Sequence, residues 1–158
     1  MSSSASGWEP DVLPGYWRQT IALGPDPDGE GDLVATLVRR GEATDAEHAV
    51  LALHGYTDYF FNAELGDYFA ARGFAFYAVD LHKCGRSRLP GQTPHFTTNL
   101  ASYDAELDSA LESVVADTAG ARVCLYGHSA GGLIVTLWLD RLRRRSLTAA
   151  RNVAALIL

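Results

Sequence analysis

The stretch "VCLYGHSAGG" (residues 123–132) decides how the rest of the chain is read. An apolar run meets Gly127-His128-Ser129-Ala130-Gly131, and an apolar, helix-forming run follows. This is a G-x-S-x-G pattern, which sets a serine on a sharp strand-to-helix turn with its hydroxyl exposed. Gly127 and Gly131 allow close backbone approach. A helix opening near Ala130 aims free N–H groups at an anion. Ordinary Gly-rich turns share the five-residue pattern; the buried strand before it and the helix after it favour the elbow.

Working outward, the same alternation recurs. "HAVLALHG" (residues 48–55) and "FAFYAVDL" (74–81) are continuous apolar runs, as expected of strands buried on both faces. Between them "NAELGDYFAARG" (62–73) predicts a helix capped by Asn62, with Leu65, Tyr68, Phe69 and Arg72 at helical spacing and Gly73 at its end. After a polar loop (82–98), Leu100, Tyr103, Leu107, Leu111, Val114 and Val115 mark one helix face. The strand "RVCLYG", the helix "AGGLIVTLWLDRLRRR" and the strand-like "VAALIL" (153–158) complete the series. Alternating strands and helices predict an α/β fold, a mostly parallel sheet with helices on both faces. Functional groups of such sheets gather at the carboxyl ends of the strands, where His54-Gly55, Asp80 and Gly127-His128-Ser129 fall.

Upstream, "WRQTIAL" (17–23) and "DLVATLVRR" (32–40) alternate around the turn cluster "GPDPDGEG", which predicts an antiparallel hairpin with one wet face. Residues 1–16 are rich in Ser, Gly and Pro and read as a flexible lead-in, leaving 17–158 as the folded portion. The start has neither a basic n-region nor an apolar h-region, and no apolar run approaches the roughly 20 residues of a membrane span.

An acyl-transfer site must hold negative charge on a former carbonyl oxygen, using two N–H donors already in place. Ala130 at the elbow supplies one, and the loop after His54-Gly55 supplies the other, most simply Tyr56. The plainer alternative is that His54-Gly55 only ends a strand. A serine also needs a base within hydrogen-bond reach. His128 sits beside Ser129 on a tight turn, with its ring directed elsewhere. His54 is expected to order the oxyanion loop and His48 to be exposed. His82 and His95 follow the Asp80 strand and are the remaining bases in the chain.

The sequence resembles the α/β-hydrolases of the serine aminopeptidase, monoacylglycerol lipase and lysophospholipase group. The resemblance rests on "LALHGYTDYFFN" (51–62), "FYAVDLHKCGRS" (76–87) and "LYGHSAGGLIV" (125–135), and it covers nearly all of the chain after Trp17. It implies that Ser129 is the acyl-forming nucleophile and that Tyr56 and Ala130 carry the oxyanion-hole amides. Lys83 and Cys84 stand where the family's usual wording has a Gly-His pair, which bears on substrate preference. The family order is Ser, then Asp or Glu, then His. After Ser129 the only acid is Asp140, and no histidine follows. "VAALIL" also stops without a covering element, exposing a sheet edge open to self-association. The expectation is therefore an N-terminal portion of a serine hydrolase, with His and Asp beyond residue 158. The alternative is a catalytically inactive binding module or non-functional fragment.

Composition trims the other classes. The 158 residues are 47% hydrophobic and 20% charged, the balance of a globular domain. A formal net charge of -6 argues against nucleic acid as partner and leaves a small acyl ester or amide as the expected ligand. Arg141, Arg143, Arg144, Arg145 and Arg151 read as the solvated end of a helix. Cys84 and Cys124 are in no metal-ligand spacing and suit a reducing cytoplasm, with Cys124 expected in the core. The chemistry needs no cofactor or metal. Tyr56, Tyr59, Phe60 and Phe61 either line an acyl pocket or pack the following helix.

Overall fold

The computed structural model describes residues 7–42 and 44–158. Its elements are β1 (Glu9–Pro10), β2 (Tyr16–Pro25), β3 (Asp32–Arg40), β4 (His48–Leu53), α1 (Ala63–Ala70), β5 (Ala75–Asp80), α2 (Asp104–Asp117), β6 (Arg122–Gly127), α3 (Ala130–Arg145), α4 (Leu147–Ala150) and β7 (Val153–Ile157). The strands form one seven-stranded sheet in the order β1-β2-β3-β5-β4-β6-β7. Neighbours from β1 to β5 run antiparallel, and β5, β4, β6 and β7 run parallel.

Period-two alternation sends successive residues to opposite faces. On one face Leu51, Leu53, Tyr77, Val79, Val123 and Leu125 pack with Leu107, Leu111 and Val114 of α2 and Ile134, Val135 and Trp138 of α3. On the other, Val50, Ala52, Phe76 and Ala78 meet Phe69 of α1, together with Tyr16 and Phe60. The central strands therefore read as unbroken apolar runs. In α1, Asn62 caps as expected, its Oδ1 accepting from Leu65 N–H. Tyr68 faces solvent under the Arg72 guanidinium instead of packing inward.

Three sequence expectations change here. The hairpin of β2 and β3 does form, but β3 lies between β2 and β5 and is buried on both faces, so only β2 keeps a wet face. The arginines of α3 are not merely solvated: Arg141 and Arg145 lace α3 to Asp104 and Asp108 of α2, and Arg144 pairs with Asp140. Cys124 is only half-buried, while Cys84 is buried.

The ordered structure also starts before Trp17. Residues 1–6 of the expected lead-in lie outside the described residues, whereas residues 8–16 are built into the fold. β1 pairs with β2, and the Trp8 ring packs on Tyr77 under the Arg39 guanidinium. The Asp11 side chain is buried and takes both Nε and Nη2 of Arg86 at 2.7 Å, while Arg86 Nη1 reaches Asp80 at 2.9 Å. A Pro- and Gly-rich segment is ordered because a bidentate ion pair and an aromatic contact hold it.

Burial pushes the Asp11 carboxyl up, but Arg86 and the Leu13 amide outweigh it and hold the group below the usual carboxylate range. A depressed folded value stabilises the protein above the unfolded value of about 3.9, and that stabilisation is lost as pH falls through the folded one. Asp11→Ala removes the bidentate partner of Arg86, which keeps Asp80 and the Phe60 carbonyl, and is expected to cost about 1–3 kcal/mol. Its thermal denaturation is expected to be less sensitive than wild type to acidification below about pH 4. An unchanged melting temperature would mean that residues 8–16 are not part of the fold.

Candidate active site

Three turns meet at the carboxyl ends of the parallel strands. Ser129 follows β6 with φ 53° and ψ -122°, a region costing a non-glycine residue on the order of 1–3 kcal/mol. The turn persists because its neighbours have no side chains to obstruct it. A methyl on Gly131 would overlap the carbonyl oxygens of Leu53 and His54, and one on Gly127 would lie 2.6 Å from Gly132 Cα. The elbow backbone thus lies directly against the end of β4, and His128 N–H donates to Leu53 O at 3.0 Å. Ser129 and His128 are both solvent-exposed.

The loop after β4 faces the elbow. A Cβ on Gly55 would sit 3.3 Å from both Ser129 Cβ and His128 Nδ1. His54 holds this loop in place. Its Nε2 accepts from Leu81 N–H at 3.2 Å, which leaves the proton on Nδ1, directed at Gly55 O at 2.8 Å. At the start of α3, Gly131 and Gly132 N–H donate to the His128 and Ser129 carbonyls. Among the described residues neither Tyr56 N–H nor Ala130 N–H has an intramolecular acceptor, so both are available to a ligand.

Ser129 Oγ has no hydrogen bond among the described residues, and none of the histidines reaches it. His54 is committed to the loop. His48 begins β4 beside Phe74. His82 does not approach the rim: it is buried between Glu106, with Nδ1 at 3.0 Å from Oε2, and the Tyr103 ring. Burial pushes the Glu106 carboxyl up despite the opposing contacts of His82. His95 is half-buried, with Nδ1 3.3 Å from Cys84 Sγ and its ring edge-on to Tyr56. Burial, then nearby His54 and Arg88, lowers the basicity of His95. Cys84 is no rival nucleophile, since burial and neighbouring carboxylates push its thiol up to about 12.

Asp80 ends β5 as expected, but it is fully buried and structural. Its carboxylate accepts Phe60 N–H at 2.8 Å, Arg86 N–H at 3.0 Å and the Arg86 guanidinium. It ties the β4 loop to the β5 loop from beneath.

Beside the elbow opens a cavity of about 400 Å³, lined by Gly55, Tyr56 and Ala130 and by the apolar Phe96, Leu100, Tyr103, Leu133 and Ile134. A second cavity of about 210 Å³ lies across the His54 loop, beside Tyr59, Phe61 and His128. The aromatic group after the loop therefore divides: the exposed Tyr56 lines the larger cavity, Tyr59 and Phe61 border the smaller, and Phe60 packs in the core while also lining the smaller. The sequence reading missed the wall contributed by residues 93–97. Its position depends on partners 60 or more residues away, at Glu30 and Asp28, and no local pattern shows that.

No helix among the described residues is long and apolar enough to cross a membrane. Comparison with curated proteins finds no match. Among solved structures, the chain is similar to a carboxyl esterase from Bacillus coagulans in complex with glycerol, with TM-score 0.63 and 13% identity over 88% of this chain and 43% of that one. It is similar to a protein from Agrobacterium vitis S4, with TM-score 0.60 and 20% identity over 87% and 49%. A lipase in its open form gives TM-score 0.61 and 15% identity over 78% and 40%. At these identities the likeness is one of fold, and the chain spans about half the length of the structures it matches, or less. The family model described as serine aminopeptidase, S33, matches residues 44–158. With the strained serine turn and the α/β sheet beneath it, that match over most of the chain makes it a member of the serine aminopeptidase S33 family of α/β-hydrolases.

Proposed function

We propose that this chain carries the nucleophile half of a serine hydrolase acting on carboxylic esters, lipid esters or amides through an acyl-enzyme. The observation that carries the reading is Ser129, held at φ 53° on an exposed turn with Gly55 packed against it. Ser129 Oγ attacks the substrate carbonyl carbon and its proton passes to a histidine. The carbonyl oxygen gains negative charge and takes Tyr56 and Ala130 N–H, with the positive end of α3 behind them. Collapse of this intermediate breaks the bond to the alcohol or amine, which leaves with the proton. Water then cleaves the Ser129 ester by the same steps.

The histidine and its carboxylate partner belong, in this reading, to sequence beyond Leu158. The family order favours it: Asp140, the only acid after Ser129, is exposed on α3 and paired with Arg144. The larger cavity, apolar apart from a few polar groups, suits the acyl chain. A cytoplasmic setting belongs to the same proposal, since Cys84 and Cys124 are both free thiols. Self-association of the isolated chain through the exposed β7 edge does too, and would elute it larger than a monomer in size exclusion.

The second reading is a module that binds acyl ligands without turnover, favoured by the absence of any described histidine on Ser129 Oγ. A fluorophosphonate probe separates the two. In the full-length polypeptide it is expected to label Ser129, and Ser129→Ala is expected to abolish both labelling and ester hydrolysis; folded protein that stays unlabelled would exclude the hydrolase. Gly131→Ala tests the geometry. Its methyl displaces α3 from the β4 carbonyls, so stability is expected to fall by about 1–3 kcal/mol in urea denaturation. Labelling is expected to slow beyond that loss, because the elbow opens. Unaltered labelling would disconnect the close contact from the chemistry.

A further inference from the structure

Lys83 holds a left-handed backbone, φ 61°, of the kind that favours glycine. A non-glycine residue in that region is uncommon. The lysine side chain is fully buried, and Nζ lies 2.6 Å from Asp26 Oδ2 and 2.8 Å from Glu30 Oε2, both in the turn between β2 and β3. Burial opposes its charge, but the two carboxylates outweigh burial and keep it an ammonium. The same ammonium lies 5.2 Å from the centre of the Phe96 ring.

The turn grips the cavity wall directly as well. Glu30 accepts the N–H and hydroxyl of Thr93, Asp28 accepts the N–H and hydroxyl of Thr98, and Gln92 Nε2 donates to Asp32 O at 2.9 Å. Lys83 O accepts His95 N–H at 3.0 Å from the middle of the segment. Residues 93–97 are a continuous stretch of the larger cavity's lining. The wall is therefore fastened at both ends to the acidic hairpin turn, and at its centre to the lysine that pairs with Asp26 and Glu30 of that turn.

We propose that Lys83, with Asp26, Asp28 and Glu30, forms a clamp by which the β2–β3 turn fixes the cavity wall and so sets the length of acyl chain the cavity accepts. Lys83 is a positioning residue: it acts through residues 93–97 and does not touch the reacting atoms. The inference rests on the reading of this cavity as the acyl site.

The test compares wild type with Lys83→Met and Glu30→Gln by amide hydrogen exchange, and by calorimetric binding of hexanoate and dodecanoate. Exchange at the Thr93, His95 and Thr98 amides is expected to quicken at least tenfold in both variants, with Leu51, Leu53 and Leu125 unchanged. The dodecanoate-to-hexanoate affinity ratio is expected to change at least threefold. Wall amides that stay slow, or that quicken only in step with the core strands, would overturn the clamp, as would an unchanged ratio. If Lys83→Met does not fold, Glu30→Gln together with Asp28→Ala decides on the same readouts, since Asp28→Ala removes only the Thr98 attachments from the turn. Wild-type protein that binds neither fatty acid would overturn the acyl-cavity reading, with the exchange rates still deciding the clamp.

Discussion

The site depends on how closely the turn after β6 lies against the end of β4. Gly131 is in backbone contact with the Leu53 and His54 carbonyls, and Gly127 with Gly132. No side chain fits in either place. This closeness forces the strained Ser129 conformation, brings Gly55 against it, and sets the first amides of α3 beside the loop that carries Tyr56. The parallel pairing of β4 with β6, from His48↔Arg122 to Leu53↔Gly127, brings the two turns level. A slip of one residue in that register would move Ser129 away from Gly55 and invert both faces of the strand.

Around this contact the polar groups divide by role. Those that build the turns are buried and fully engaged: His54 between Leu81 and Gly55, Asp80 between Phe60 and Arg86, Ser87 between Thr36 and Asp80 O. Those without an acceptor among the described residues are the Ser129 hydroxyl and the Tyr56 and Ala130 amides. Pre-organisation needs this division, because donors already fixed in place need not reorganise as charge develops.

Much of this was legible in the sequence, for a physical reason. β4 and β5 are buried on both faces and α1 has an Asn cap, so local composition and local structure agree for the strands and helices between residues 48 and 145. The elbow was legible because its glycines are obligatory. What was not legible depends on distant partners. β1 exists only by pairing with β2, and the order of residues 8–16 comes from Arg86, Tyr77 and Arg39. Asp80 lies at a strand end where functional groups gather, yet the buried Arg86 commits it to structure. Lys83 departs visibly from the family wording, but its partners Asp26 and Glu30 lie in a turn cluster that reads only as a loop.

In the proposed site, Tyr56 and Ala130 present two amides to one point above Ser129. A crystal structure of the Ser129 phosphonate adduct tests it most directly. The phosphoryl oxygen is expected within about 3.1 Å of both amide nitrogens, with the β4 loop where it stands in the free protein. A phosphoryl oxygen turned to solvent, or bound to only one of the two amides, would contradict it.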